Sequence, residues 1–408
     1  MTITDTAPTA ALATGIRHAL DEIRGEMRTV AHEIHGLAEI GFEEHRSAAL
    51  LCDLLERHGF TVQRGASGME TAFIADAGSV GPAVAYVCEY DALRGLGHAC
   101  GHNLIGTGSA GAGIALARAL RQAGLPGRVR VVGSPAEEGG GGKIPLADGG
   151  VFDEFDAALI FHPGDRTAAV MWALACTHWR FAFTGRAAHA AADPDKGINA
   201  LDAFVHAYSG VALWRQQLKD GARVHGFLAE GGTAPNIIPE RASGEFLTRA
   251  REHAYLEEMD TRFRAIFAAA ASATGCTLEL TTGTTYKDLR SNPVLAQRCH
   301  AHLDEVGLAP RESIPWDRVG STDVGDLSYA APTLHPEVAI IDEGVSCHTH
   351  EFREAADADR GYDALVRGTE ALALTGADVA GDASIRHAVR AAFSDQPWRR
   401  PGWRGSGC

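Results

Sequence analysis

The chain of 408 residues is long enough for two domains with sizeable cores, and its 45% hydrophobic, 22% charged composition is that of an ordinary globular protein. A formal net charge of −15 and the lack of any basic run exclude nucleic acid as a partner, because polyanion binding relies on Lys/Arg-rich surface. No stretch of roughly 18 or more strongly apolar residues occurs, so no membrane span is expected.

The segment before Arg17 has neither the basic start nor the apolar middle of a secretory signal. Eight cysteines follow no disulfide-scaffold spacing and point to a reducing cytoplasm. Ile16, Leu20, Ile23, Met27, Val30 and Ile34 recur every three or four residues and predict an amphipathic helix. A second helix is predicted over 43–58, then strands over 60–63, 71–76 and 83–88. The last of these is apolar enough to be buried on both faces. It runs into Glu89-Tyr90-Asp91-Ala92-Leu93 and Gly97-His98-Ala99-Cys100-Gly101-His102-Asn103, followed by a Gly/Ala-rich helix over 103–123.

A buried strand over 129–133 ends in Pro135-Ala136-Glu137-Glu138 and four glycines before Lys143; another, over 157–161, ends in His162-Pro163. Strands alternating with helices predict an α/β fold, a mainly parallel sheet whose sites lie at the strands' carboxyl ends. Between 176 and 286 the texture changes to a β-α-β-β-α-β order, with strands near 178–184, 223–229, 244–248 and 278–281 and helices near 199–218 and 253–274. That order fits an inserted α+β, ferredoxin-like domain. The chain then returns to α/β texture, with helices near 293–305 and 354–374. The expected organisation is a catalytic domain over 1–175 and 287–380, an insert over 176–286 and a poorly ordered tail over 381–408.

Three successive strand ends thus present Cys100 and His102, Glu137 and Glu138, and His162, with His348 or His350 near the end of the chain. Imidazole and thiolate suit zinc-like ions, and a nearby carboxylate can orient a ligating imidazole. In Glu137-Glu138, adjacent side chains face different ways, so one can ligate while the other serves as a general base. Taken singly, each has a bland alternative: a buried cysteine, a hydrogen-bonded histidine, a solvated helix start. It is their recurrence at successive strand ends that argues for a two-metal hydrolytic centre. The glycine run lacks a Gly-Lys-Ser/Thr ending, which argues against a phosphate loop, and no Gly-x-Ser-x-Gly elbow marks a serine hydrolase.

These segments, with His189-Ala-Ala-Ala, Pro235-Asn-Ile-Ile-Pro, Gly320-Ser-Thr-Asp and Cys347-His-Thr-His-Glu-Phe, resemble the dinuclear amidohydrolases of the aminoacylase/glutamate-carboxypeptidase superfamily. The nearest branch holds aminobenzoyl-glutamate hydrolases, indole-acetyl-amino-acid hydrolases and β-alanyl-lysine type dipeptidases. The resemblance implies two divalent ions per subunit, zinc or manganese, with cobalt or nickel as alternatives. It implies Cys100 as the bridging ligand, His102, Glu138, His162 and His348 as the other ligands, Glu137 as the catalytic base and Asp91 as the orienting carboxylate. The preference for His348 over His350 follows the family's spacing to the aromatic, here Phe352. His350 and Arg94 depart from the family pattern, as a pocket contact and a cation near the site mouth. The insert becomes a lid and dimerisation domain, in which His189 binds the scissile carbonyl oxygen and Asn236 and Arg249 hold a substrate carboxylate or oxyanion. His225 is a further pocket candidate, and the implied assembly is a homodimer or higher homo-oligomer.

The implied reaction is hydrolysis of a C–N bond in a small carboxylate-bearing substrate: an N-acyl or aminobenzoyl amino acid, or a dipeptide. Two alternatives stand beside it: hydrolytic deamination of an aromatic amino acid such as 5-nitroanthranilate, and a non-catalytic binding protein on the same fold.

Overall fold

The structure, a computed structural model, describes residues 7–313, 316 and 319–395. Helix α1 (Ala7–Leu37) turns Leu12, Ile16, Leu20, Ile23, Met27, Val30 and Ile34 into the core, each three or four residues from the next, the period of one helix face. Helix α2 (His45–Arg57) buries Leu51, Leu54 and Leu55. Strands β1 (Thr61–Arg64), β2 (Phe73–Ala77) and β3 (Ala83–Cys88) follow, and every residue of β3 is buried. After α3 (His102–Ala123) come β4 (Arg128–Gly133), the short α4 (Lys143–Asp148), β5 (Ala157–Leu159) and β6 (His162–Gly164).

The inserted elements are β7 (Ala175–Thr184), α5 (Ala200–Trp214), β8 (Arg223–Glu230), β9 (Arg241–Ala250), α6 (His253–Thr274) and β10 (Thr277–Tyr286). The chain ends with α7 (Pro293–Glu305), α8 (Val324–Ala330), β11 (Thr333–Leu334), β12 (Glu337–Ala339), α9 (His350–Ala355), α10 (Asp359–Gly381) and α11 (Ala383–Ser394).

Two compact units result. One comprises the chain up to Trp172, from Leu289 to Ser313 and from Thr322 onward; the other comprises Ala173 to Asp288 together with 319–321. In the first, six strands lie in the order β1-β2-β4-β3-β5-β11. From β4 to β11 all neighbours are parallel, while β2 runs antiparallel to β4 and β1 to β2. Because β3, β4 and β5 share one direction, the segments following Cys88, Gly133 and Leu159 all leave the same edge. Helix α3, buried along most of its length, packs on this sheet and on α1 and α10.

In the second unit all four strands are antiparallel, in the order β10-β7-β9-β8. Alternate residues of β7, Trp179, Phe181 and Phe183, are buried against Phe246 of β9 and Phe263 and Phe267 of α6. That period of two is what a strand with one covered face requires.

Three expectations are corrected. The strand expected over 157–161 ends at Leu159, and His162 instead begins β6, which pairs in parallel with β12 as a separate two-stranded sheet. The helix expected over 354–374 is two helices, α9 and α10. The tail expected to be poorly ordered from 381 contains α11, capped by Asp382, whose carboxylate accepts from the Ser384 and Ile385 amides at 2.7 and 3.3 Å. Ile385 and Val389, four residues apart, bury its inner face. The remainder of that tail, 396–408, lies outside the described residues.

A Cβ placed on Gly108 of α3 would lie 2.3 Å from Phe161 Cε1 and 2.9 Å from Thr369 Oγ1. Gly108→Ala is therefore expected to lower the unfolding free energy by about 1–3 kcal/mol through overpacking, read as a lower denaturant midpoint at unchanged slope.

Candidate metal centre

The chain leaves β3 through Glu89, Tyr90 and Asp91, all buried. Gly101, between Cys100 and His102, has φ +77°, and a Cβ there would lie 2.8 Å from Pro163 Cγ, so the turn that starts α3 accommodates only glycine without strain. His102 Nδ1 meets Asp91 Oδ1 at 3.0 Å, and Asp91 Oδ2 accepts the Glu138 amide at 3.0 Å. With Nδ1 donating to a carboxylate, Nε2 keeps its lone pair for a metal. That Nε2 is buried and has no hydrogen-bond partner. Around it stand Glu89 Oε2 at 3.6 Å, Glu137 Oε2 at 3.8 Å and Glu138 Oε1 at 3.9 Å, too distant for hydrogen bonds yet aimed at common space. Three carboxylate oxygens converging on an imidazole nitrogen that has no hydrogen-bond partner fit a cation.

Cys100, His102 and His162 form one set whose donor atoms all lie within 4.8 Å of one another. Cys100 Sγ is 3.4 Å from His162 Nε2, and His162 Nδ1 faces its neighbour's carbonyl, Pro163 O, at 2.6 Å, which again leaves Nε2 for a metal. A second set is Cys100, Cys347 and His348; Glu138 Oε1 lies 3.4 Å from His348 Nε2. Cys100 is common to both. His348 takes a left-handed φ of +63°, and its amide donates to Ala99 O at 2.8 Å, drawing the C-terminal segment onto the cysteine loop. Glu137 lies in two further sets, one with His102 and Glu138, the other with Glu89 and Asp323. His350 is exposed at the first position of α9, and Arg94 is exposed on its loop.

Burial raises the Glu137 carboxyl well above the usual range, and the nearby Glu89 and Asp323 carboxylates push it the same way. Burial would do the same to Glu138, but its hydrogen bond to His348 and the charge of His102 bring it below the ordinary value. Asp91 is likewise held down against burial, chiefly by His102, whose own pKa is raised against burial by Asp91 and then Glu89. The adjacent carboxylates Glu137 and Glu138 are thus pushed apart in acidity, the condition for different roles. The Cys100 thiol hydrogen-bonds to the Cys347 sulfur; that bond and burial both raise Cys100, while the same bond, against burial, lowers Cys347 to about 6.

Beneath these groups is a buried lysine. Lys143 Nζ lies 2.6 Å from Glu89 Oε1 and 2.6 Å from Asp323 Oδ1, and its amide donates to Asp323 Oδ2 at 3.0 Å. Burial opposes its charge, but Asp323, Glu89 and Glu137 outweigh that and raise its pKa, while burial lifts Asp323 to about 6. Read from the sequence alone, Lys143, Glu89 and Cys347 carry no role of their own. The available signal for Lys143 was a lone basic residue opening an apolar helical turn, a position where an unpaired ammonium is unfavourable.

Four of the remaining candidates lie in the second unit. Exposed His189 and Asn236 are on facing segments: His189 bridges to Ile237, and the Ala190 amide donates to Asn236 O at 3.0 Å. His189 Nδ1 accepts the amides of Ala191 and Ala192 at 3.3 and 3.1 Å, which directs Nε2 outward. His225 and Arg249 are diagonal neighbours on β8 and β9, and His225 is lowered by burial and by the Arg249 charge. Arg249 Nη1 donates to Ser321 Oγ at 2.8 Å.

Residues 87–374 match the model of Peptidase family M20/M25/M40. The chain belongs to this family. It is 36% identical over 393 residues to the mouse Xaa-Arg dipeptidase, covering 92% of this chain and 90% of that protein. It is 38% identical to one of the subunits of the Escherichia coli p-aminobenzoyl-glutamate hydrolase, over 65% of this chain and 59% of the relative. Among solved structures, a Bacillus subtilis protein described as a dinuclear metal binding peptidase of the M20 family superposes with a TM-score of 0.63 at 18% identity, covering 85% of this chain and 98% of that one. As a member of this family the chain is a hydrolase acting on carbon–nitrogen bonds.

Asp91→Asn puts an NH2 in place of one of the two carboxylate oxygens, so either His102 Nδ1–H or the Glu138 amide loses its acceptor, and should weaken metal binding about 10–100-fold, measured by competition against a chelator of known affinity. Lys143→Met leaves two buried carboxylates without their cation and should cost about 3–5 kcal/mol in denaturant unfolding. Adding Asp323→Asn to that variant should restore part of the loss, since the two residues are in direct contact.

Proposed function

We propose that this protein is a two-metal amidohydrolase that splits the amide bond of a small, carboxylate-bearing substrate, an N-acyl or aminobenzoyl amino acid or a dipeptide. The observation that carries this reading is the sharing of Cys100 between two donor sets, with Glu137 beside them in contact distance of His102 and Glu138. Cys100, His102 and His162 would hold one ion; Cys100, Glu138 and His348 would hold the other. Zinc, manganese, cobalt and nickel all suit such a mixture of donors, and the thiolate favours zinc. Bound there, two divalent ions supply Lewis acidity to the scissile carbonyl and make water a stronger acid.

Glu137 takes the proton from the attacking water and returns it to the leaving amine, as a general base and then a general acid. Its raised pKa makes Glu137 a stronger base toward the attacking water than an ordinary carboxylate. Asp91 keeps His102 in the tautomer that presents Nε2. In the second unit, His189 presents Nε2 to the carbonyl oxygen, and Asn236 and Arg249 bind the substrate carboxylate, for which a guanidinium fork is suited. Names of the relatives, for Xaa-Arg dipeptides and p-aminobenzoyl-glutamate, support this substrate class. The active assembly in this reading is a homodimer, and the seven free cysteines among the described residues agree with a cytoplasmic enzyme.

Glu137→Gln should reduce kcat by about 10²–10⁴-fold, the usual weight of a positioned acid–base group, while metal content stays at two ions per chain. Turnover of acylated, aminobenzoyl and dipeptide substrates is followed by amine release and metal by elemental analysis. An unchanged kcat would remove Glu137 from the mechanism.

A further inference from the structure

Cys347 immediately precedes His348, and its Sγ lies within 4.8 Å of both Cys100 Sγ and a ring nitrogen of His348. In an extended chain, consecutive side chains point to opposite sides. Here the backbone of the second residue is left-handed, at φ +63°, and its amide is fixed to Ala99 O at 2.8 Å. Cys347 and His348 therefore present their donors to the same point, against the cysteine loop. Glu138 Oε1, 3.4 Å from His348 Nε2, completes a group of two sulfurs, one imidazole and one carboxylate. Among the described residues, the other set, Cys100 with His102 and His162, has no second sulfur.

From this geometry, and resting on the two-metal reading above, we propose that Cys347 is a thiolate ligand of the second metal position, giving it four protein donors where the first has three. Two sulfurs make that position soft, so it prefers zinc or cobalt over manganese, which favours oxygen donors. Four protein donors close a tetrahedral ion, whereas three leave a coordination place for an incoming oxygen. The two positions thereby differ: the Cys100–Glu138–His348–Cys347 position holds its ion, and the Cys100–His102–His162 position is the open one.

The test uses the full-length protein, kept reduced with a phosphine and loaded with cobalt(II), whose thiolate-to-metal charge-transfer absorption grows with each sulfur bound. Wild type should show the band of three sulfur–metal contacts, two from the shared Cys100 and one from Cys347. Cys347→Ser should lose about a third of it, and its second ion should exchange for manganese at least tenfold more readily. Cys347→His, which restores a nitrogen donor, should recover retention of the second ion without recovering the sulfur band; failure of Cys347→His to retain it would count against ligation at this position. An unchanged band in Cys347→Ser, with two ions still bound, overturns the role of Cys347 and leaves the two-metal reading standing. A wild-type protein that binds no cobalt and shows no band overturns both.

Discussion

The carboxylate of Asp91 is the tie on which the site depends. One oxygen fixes the His102 ring and the other accepts the Glu138 amide, so one buried side chain sets the end of β3 against both the start of α3 and the loop beyond β4. Neither partner could be held by local structure alone, since Glu138 lies 47 positions further along the chain. A hydrogen-bonded carboxylate without access to water is stiff, because any displacement exposes unsatisfied charge to a low-dielectric interior. The Glu138 backbone, the His102 tautomer and the spacing between the two donor sets follow from that one group.

The rest of the unit brings the donors within its reach. Parallel β3, β4 and β5 deliver three loops to one edge, and the close-packed glycines of α3 let the helix carrying His102 lie near Phe161, which precedes His162. Two longer-range ties finish the arrangement. The His348 amide on Ala99 O adds the C-terminal segment, and Lys143 joins Glu89 to Asp323, 180 positions from the lysine. The lysine's tie is polar and buried, so it fixes position more than it adds net stability.

What could be read in the sequence follows the range of the forces involved. The strand over Ala83–Cys88 and the helices His253–Thr274 and Pro293–Glu305 agree with their expected bounds, because periodicity, caps and apolar runs are local signals. The family motifs marked Cys100, His102, Glu137, Glu138, His162 and His348, and the structure brings those six together. The pairing of Lys143 with Asp323 and the approach of Cys347 to Cys100 were not legible, since nothing near either residue specifies a partner so distant in the chain. The α11 helix was missed for another reason. Its Asp382 cap and its Ile385–Val389 pair are local, but the polar, glycine-containing stretch around them was given more weight.

The electrostatics explain why such a cluster calls for cations. Buried Glu89, Asp91 and Asp323 and part-buried Glu137 and Glu138 lie close together, with the ammonium of Lys143 set against two of them. Like charges at these separations cannot all stay ionised in a medium of low dielectric. Protons are one remedy: the raised pKa values of Glu137, His102 and Asp323 each mark a place where a bound proton relieves the excess. Divalent cations would be the other, acting on the same lone pairs at His102 Nε2 and the Glu138 carboxylate in the two-metal reading. Binding of a metal at these donors must then displace protons, so the affinity of the centre and its protonation are one coupled equilibrium.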